Sequence, residues 1–151
     1  LAHRFEAVAE LAGVAFVNDS KATNVGSTVA ALNGLELKGN VVLIAGGDAK
    51  GADLSPLAES LVGRVKRIVT LGKDAPTVAS VADQCGIPHV LAATMEDAVA
   101  AAANSAAPGD LVLLSPACAS LDMFDNFQQR GDVFASAVRS LTGADFAAVQ
   151  S

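Results

Sequence analysis

The spacing of apolar positions changes several times along the chain, and each change marks an element. Residues 4–10 (Arg4-Phe5-Glu6-Ala7-Val8-Ala9-Glu10) alternate in part between polar and apolar, as a half-exposed strand does. Ala12-Gly13 interrupts the run, residues 14–17 resume it, and the pair predicts a hairpin. Asn18-Asp19-Ser20-Lys21-Ala22-Thr23-Asn24 follows, and then Val25, Val29 and Leu32 fall on one helical face. Gly34 is placed to end that helix.

Four more short apolar runs, at 41–45, 65–71, 89–92 and 111–114, read as buried strands separated by helical segments. Ser55-Pro56 offers an N-cap followed by proline at the first helical position, with Leu57, Leu61 and Val62 as the apolar face. Residues 74–85 place Val78, Val81 and Ala82 inward, and Gly86 and Pro88 stop the helix. Thr94 with a carboxylate three residues on has a capping-box pattern, and the alanine-rich helix behind it ends at Pro108-Gly109. The last helix is predicted over 127–141, striped by Val133, Phe134, Ala137, Val138 and Leu141.

Strands alternating with helices at this spacing predict a three-layer αβα, Rossmann-like α/β domain. Its sheet would be mostly parallel, of about six strands, with an antiparallel edge strand from the N-terminal hairpin. Residues 1–142 form the one domain of this reading, and residues 143–151 are expected to be a frayed tail.

Composition narrows the function. The chain has 151 residues, enough for one domain with a real core, and is 52% hydrophobic without Trp or Tyr. A net charge of −6 and the lack of a basic, aromatic-studded stripe argue against nucleic acid and anionic membranes as partners. No apolar run approaches the length of a membrane span, and no signal peptide is read at the start. Cys85, Cys118, His3 and His89 have no metal-like spacing, so no metal site is expected on this chain, and a reduced, cytoplasmic setting is the default. The chain begins at Leu1, as a piece of a longer protein would.

The unusual chemistry lies in the loops that follow predicted strands, which converge on one sheet edge in such folds. Residues 18–24 hold a carboxylate, an ammonium, two hydroxyls and two carboxamides, more than helix capping requires. Gly46-Gly47-Asp48-Ala49-Lys50-Gly51 lacks the spacing of a phosphate loop, but Lys50 is well placed there to hold a carboxylate. Ser115-Pro116-Ala117-Cys118-Ala119-Ser120-Leu121-Asp122 is small, apolar and hydroxyl-bearing, suited to close backbone approach to a ligand. No histidine is brought to Ser120 or Cys118, which disfavours hydrolase chemistry, and Cys118 reads as a core residue. The first turn of the last helix offers N–H groups to an anion. Arg130 and Asp132 read as its solvated face, and Lys66 and Arg67 as edge protection.

These residues resemble a known family. His3-Arg4-Phe5-Glu6, the 18–24 stretch, Gly46-Gly47-Asp48-Ala49-Lys50, and the 115–122 loop with Asn126-Phe127 and Arg130-Gly131 are similar to the C-terminal domain of the Mur ligases. The serine–proline–alanine–cysteine–alanine–serine loop points to the member that adds D-glutamate to UDP-N-acetylmuramoyl-L-alanine. The resemblance implies an enzyme of peptidoglycan synthesis with UDP-sugar and central ATPase domains that this chain lacks. ATP would activate the substrate carboxylate as an acyl phosphate, with Mg2+ held mainly by the central domain, and the amine of D-glutamate would then attack. It further implies nucleotide contacts at Arg4, Asp19 and Lys21, with Lys21 also the candidate at the reaction site. Thr23, Lys50, Ser120 and the Phe127 backbone are implied as the D-glutamate site. Ala2 and Ala49 depart from the proline and glycine common in the family, and Ala49 bears on the loop's backbone if that position needs a positive φ. Another Mur- or folylpolyglutamate-type ligase domain is the alternative within enzymes, and a non-catalytic nucleotide-binding module is the alternative outside them.

Overall fold

The computed structural model describes residues 1–147. β1 (Glu6–Leu11) and β2 (Val14–Asn18) form the antiparallel hairpin, turning through Ala12 and Gly13 at φ +51° and +78°. Then come α1 (Val25–Asn33), β3 (Val41–Gly46), α2 (Leu57–Leu61), β4 (Val65–Leu71), α3 (Ala75–Gln84), β5 (His89–Leu91), α4 (Met95–Ser105), β6 (Leu111–Leu114) and α5 (Phe127–Arg139). The six strands make one sheet in the spatial order β1-β2-β6-β3-β4-β5, parallel except for the β1–β2 pair at one edge.

Alternation along the strands divides the core into two layers. Val42, Ile44, Val112 and Leu114 point to the face covered by α4 and α5. Val41, Leu43, Ala45 and Leu113 point to the face covered by α1, α2 and α3. α4 buries Ala98, Val99, Ala102 and Ala103, and these short side chains let the helix lie close on the sheet. The predicted αβα layering and antiparallel edge are the observed ones.

Several local expectations are corrected. Ser55 caps nothing; its N–H and hydroxyl both donate to the Asp53 carboxylate, an Asx-type turn that competes with capping, and Val62 is exposed. β4 lies between β3 and β5, but β5 pairs only with Ile68–Thr70, so Lys66 and Arg67 run past the end of their outer partner strand, and Lys66 pairs with Asp110. The tail is partly built. Residues Gly143–Asp145 form a 3-10 turn behind a Thr142–Asp145 capping box, and Phe146 is buried edge-to-face against Phe16. The remainder of the expected tail, residues 148–151, lies outside the described residues.

Candidate functional site

The chain steps from β2 past one strand position to β3, runs outward through β4 and β5, and returns to insert β6 between β2 and β3. The loops after β2, β6 and β3 are therefore neighbours at the carboxyl edge of the sheet, the place where open α/β sheets hold ligands. Backbone bonds join them. Ala117 N–H donates to Ala22 O (3.1 Å) and Gly46 N–H to Pro116 O (3.0 Å), while Asp48 and Ala119 exchange a pair at 3.0 and 2.8 Å.

The first loop is held from within. Asn18 Oδ1 accepts from Ser20 N–H (3.0 Å), which fixes the amide and leaves Nδ2 to donate to His3 Nδ1 (3.0 Å). The His3 ring proton then sits on Nε2, 3.6 Å from Asp132 Oδ1, so Asp132 faces His3 as well as solvent. His3 adopts φ +63° and Phe5 φ +44°, and this bent segment is pinned twice more. Lys21 N–H donates to His3 O (2.9 Å), and Phe5 N–H donates to Asp19 Oδ1 (3.0 Å). Arg4 and Phe5 thereby become a wall beside Asp19.

Asp19 is only 6% exposed, and Ser115 Oγ donates to its other oxygen at 2.8 Å. Burial pushes its carboxyl above the ordinary 3.8, against the bonds from Ser115 and Phe5 and the charge of Arg4. Asn24 caps α1 by accepting from Ser27 N–H (2.9 Å), leaving Ser20 free of capping duty. A cleft of about 760 Å³ opens beside this loop, lined on its polar side by Arg4, Asp19, Lys21 and Thr23. Asn24 and Ser27 of the α1 start also line it, and Phe5, Ala30, Ala31 and Leu35 supply much of its apolar side.

Lys50, Ser120 and Phe127 are not in that lining; they stand on the adjoining loops and on the first residue of α5. Lys50 is exposed at the tip of the β3 loop at φ +52°, so the left-handed position there is Lys50, not Ala49. This loop is no phosphate cradle. Gly46, Asp48, Ala49 and Lys50 spend their N–H groups on Pro116 O, Ala119 O, Asp74 Oδ2 and Asp48 Oδ1. Ser120 is 4% exposed, and its carbonyl accepts from Met123 and Phe124 N–H. Cys118 is fully buried and its thiol is pushed up to about 12, chiefly by burial, so it is a packed thiol rather than a nucleophile.

Arg130 overturns the expectation of a solvated helix face. It is 2% exposed, and its fork donates to Ser20 Oγ (2.9 Å), Ser20 O (2.7 Å) and Cys118 O (2.9 Å). Ser20 Oγ in turn donates to Phe127 O (2.7 Å). Burial pulls the guanidinium down to about 10, still charged at neutral pH. A signal was present in the chain: Phe127, Arg130, Phe134 and Val138 are spaced by three, four and four, which puts the arginine on the inward stripe. Gly131 beside it has no room for a side chain, since a Cβ there would stand 2.1 Å from His3 Nδ1.

Among the described residues no cluster of His, Cys, Asp or Glu could hold a metal ion, and no helix is long and apolar enough to cross a membrane. Comparison with known proteins gives one consistent answer. The family model "Mur ligase, glutamate ligase domain" matches residues 3–118. The chain is 54% identical over 143 residues to a UDP-N-acetylmuramoylalanine–D-glutamate ligase of Shewanella violacea, covering 94% of this chain and 31% of that protein. It is 50% identical to the ligase of that name from Legionella pneumophila, over 93% of this chain and 32% of that one. It thus spans about a third of the length of these relatives. The fold matches a UDP-N-acetylmuramate–alanine ligase from Thermotoga maritima (TM-score 0.60, 12% identity, 91% of this chain and 30% of that one). It also matches a murein peptide ligase from Psychrobacter arcticus (TM-score 0.61, 15% identity, 93% and 30%).

Proposed function

Since the chain belongs to the Mur ligase family as its glutamate ligase domain, we propose that it is the amino-acid-delivering part of an ATP-dependent ligase. That ligase joins D-glutamate to UDP-N-acetylmuramoyl-L-alanine in peptidoglycan synthesis. One observation carries the reading: a cleft bearing Arg4, Asp19, Lys21 and Thr23 shares its sheet edge with the Lys50 and Ser120 loops. Two cations and a carboxylate on one wall suit a nucleotide, the cations toward phosphate and the carboxylate toward ribose hydroxyls. ATP, with Mg2+ held mainly by the central domain, supplies the phosphoryl group that activates the acceptor carboxylate. Lys50, the Thr23 and Ser120 hydroxyls and the Phe127 N–H at the start of α5 suit the two carboxylates of D-glutamate. Lys21, which lines the same cleft as Arg4, Asp19 and Thr23, serves the reacting end on this reading.

The work of this domain is positioning. Holding the amine against an activated carboxylate removes the translational and rotational cost of a bimolecular encounter. In the full-length enzyme, Lys50→Ala should raise the Michaelis constant for D-glutamate roughly 10- to 150-fold, the equivalent of about 1.5–3 kcal/mol for a charged hydrogen bond. The constant for ATP should stay near wild type. Steady-state kinetics with each substrate varied in turn checks this, and an unchanged constant for D-glutamate removes Lys50 from the site.

A further inference from the structure

Arg130 is a buried cation that has no carboxylate within ion-pair distance among the described residues. Its three acceptors belong to two different loops, Ser20 before Lys21 and Thr23, and Cys118 before Ser120. A buried charge of this kind costs stability compared with a well-packed apolar side chain. What the fork supplies instead is geometry: a planar group with fixed donor directions sets the spacing between the acceptors it bridges. Ser20 Oγ extends the brace to Phe127 O, so the first turn of α5 moves with both loops.

We propose that Arg130 is a positioning residue that fixes the 18–24 loop, which carries Asp19, Lys21 and Thr23, relative to the 115–122 loop, which carries Ser120, so that its loss weakens both substrates together. This rests on the assignment of those two loops made above. It sets Arg130 apart from Lys50, whose loss affects one substrate, and from an ordinary core residue, whose loss affects stability alone.

The experiment uses the full-length enzyme with Arg130→Lys, which keeps the charge and gives up the fork, and Arg130→Ala. For Arg130→Lys the Michaelis constants for D-glutamate and ATP should each rise at least about fivefold while the thermal midpoint shows a folded protein. Guanidinium at millimolar concentration should restore part of the activity of Arg130→Ala, where sodium at equal ionic strength does not. Ser20→Ala, which removes one acceptor and the link to Phe127, should shift both constants in the same direction by less; it decides the matter if the arginine variants do not fold. A folded Arg130→Lys with both constants unchanged, or a rise in one constant alone, overturns the brace. Wild-type enzyme that fails to ligate D-glutamate overturns the functional reading instead, which keeps the two failures apart.

Discussion

Asp19 shows how much a single carboxylate is asked to do in this loop. Each of its oxygens accepts an internal bond, yet burial outweighs them and its carboxyl lies above the ordinary 3.8. A carboxyl whose folded value is raised binds its proton more tightly in the native state, so its contribution to stability falls as pH rises through the window that begins near 3.8. Denaturant midpoints of wild type and Asp19→Asn followed upward from that pH should show wild type losing ground to the variant. A gap that moves in wild type's favour over the same window would mean that the Ser115 and Phe5 bonds, not burial, dominate. Such a buried, doubly bonded group is a rigid fixture, suited to fixing where a ligand sits.

At the scale of elements, the end of β3 leaves no room for a side chain. Gly46 pairs with Leu71 of β4 at φ +136°, and a Cβ built there would lie 1.9 Å from the Leu71 carbonyl oxygen. Neither a backbone carbonyl in a parallel ladder nor that φ can adjust to an L side chain. Gly46→Ala should therefore destabilise by about 3 kcal/mol or more, at the upper end of overpacking costs, read as a lower thermal midpoint or loss of soluble protein. A variant as stable as wild type would mean that β3 and β4 part there without cost. α5 is the other organising element. Its first two turns carry Phe127, Arg130 and Gly131, which accept from Ser20, donate to Ser20 and Cys118, and admit His3, respectively. One helix thus sets three segments that are far apart in sequence.

For the whole molecule, the proposed reading puts contacts for two ligands at the carboxyl edge of the sheet, while the Gly46, Asp48, Ala49 and Lys50 N–H groups of the β3 loop are committed to protein acceptors. On the proposed reading, the phosphate loop that handles ATP belongs to the central domain, so the 151-residue chain by itself should form no amide bond. Phosphate release assayed with the purified chain, ATP, Mg2+, D-glutamate and UDP-N-acetylmuramoyl-L-alanine should stay at background. Turnover by the isolated chain would require a second phosphate-handling site on it. The full-length enzyme should turn over under the same conditions.

Much of this was legible along the chain, because strand and helix periods, caps and chain-breaking residues are local. β4 and β6 have the predicted bounds, Thr94 caps its helix, and Val78, Val81 and Ala82 face inward as the helical spacing requires. The polar loops announced themselves by carrying more hydrogen-bonding groups than turns need. The misses have one cause. Ser55 turned to Asp53, Phe146 found Phe16, and Arg130 found Ser20 and Cys118, and in each case the partner decided the role. Local spacing alone determined the αβα layers, the antiparallel edge and the three loops that carry chemistry. The insertion of β6 between β2 and β3 was decided only by the tertiary structure. Which strands pair depends on contacts between residues distant in sequence, and that pairing is what sets the three loops side by side and buries an arginine between them.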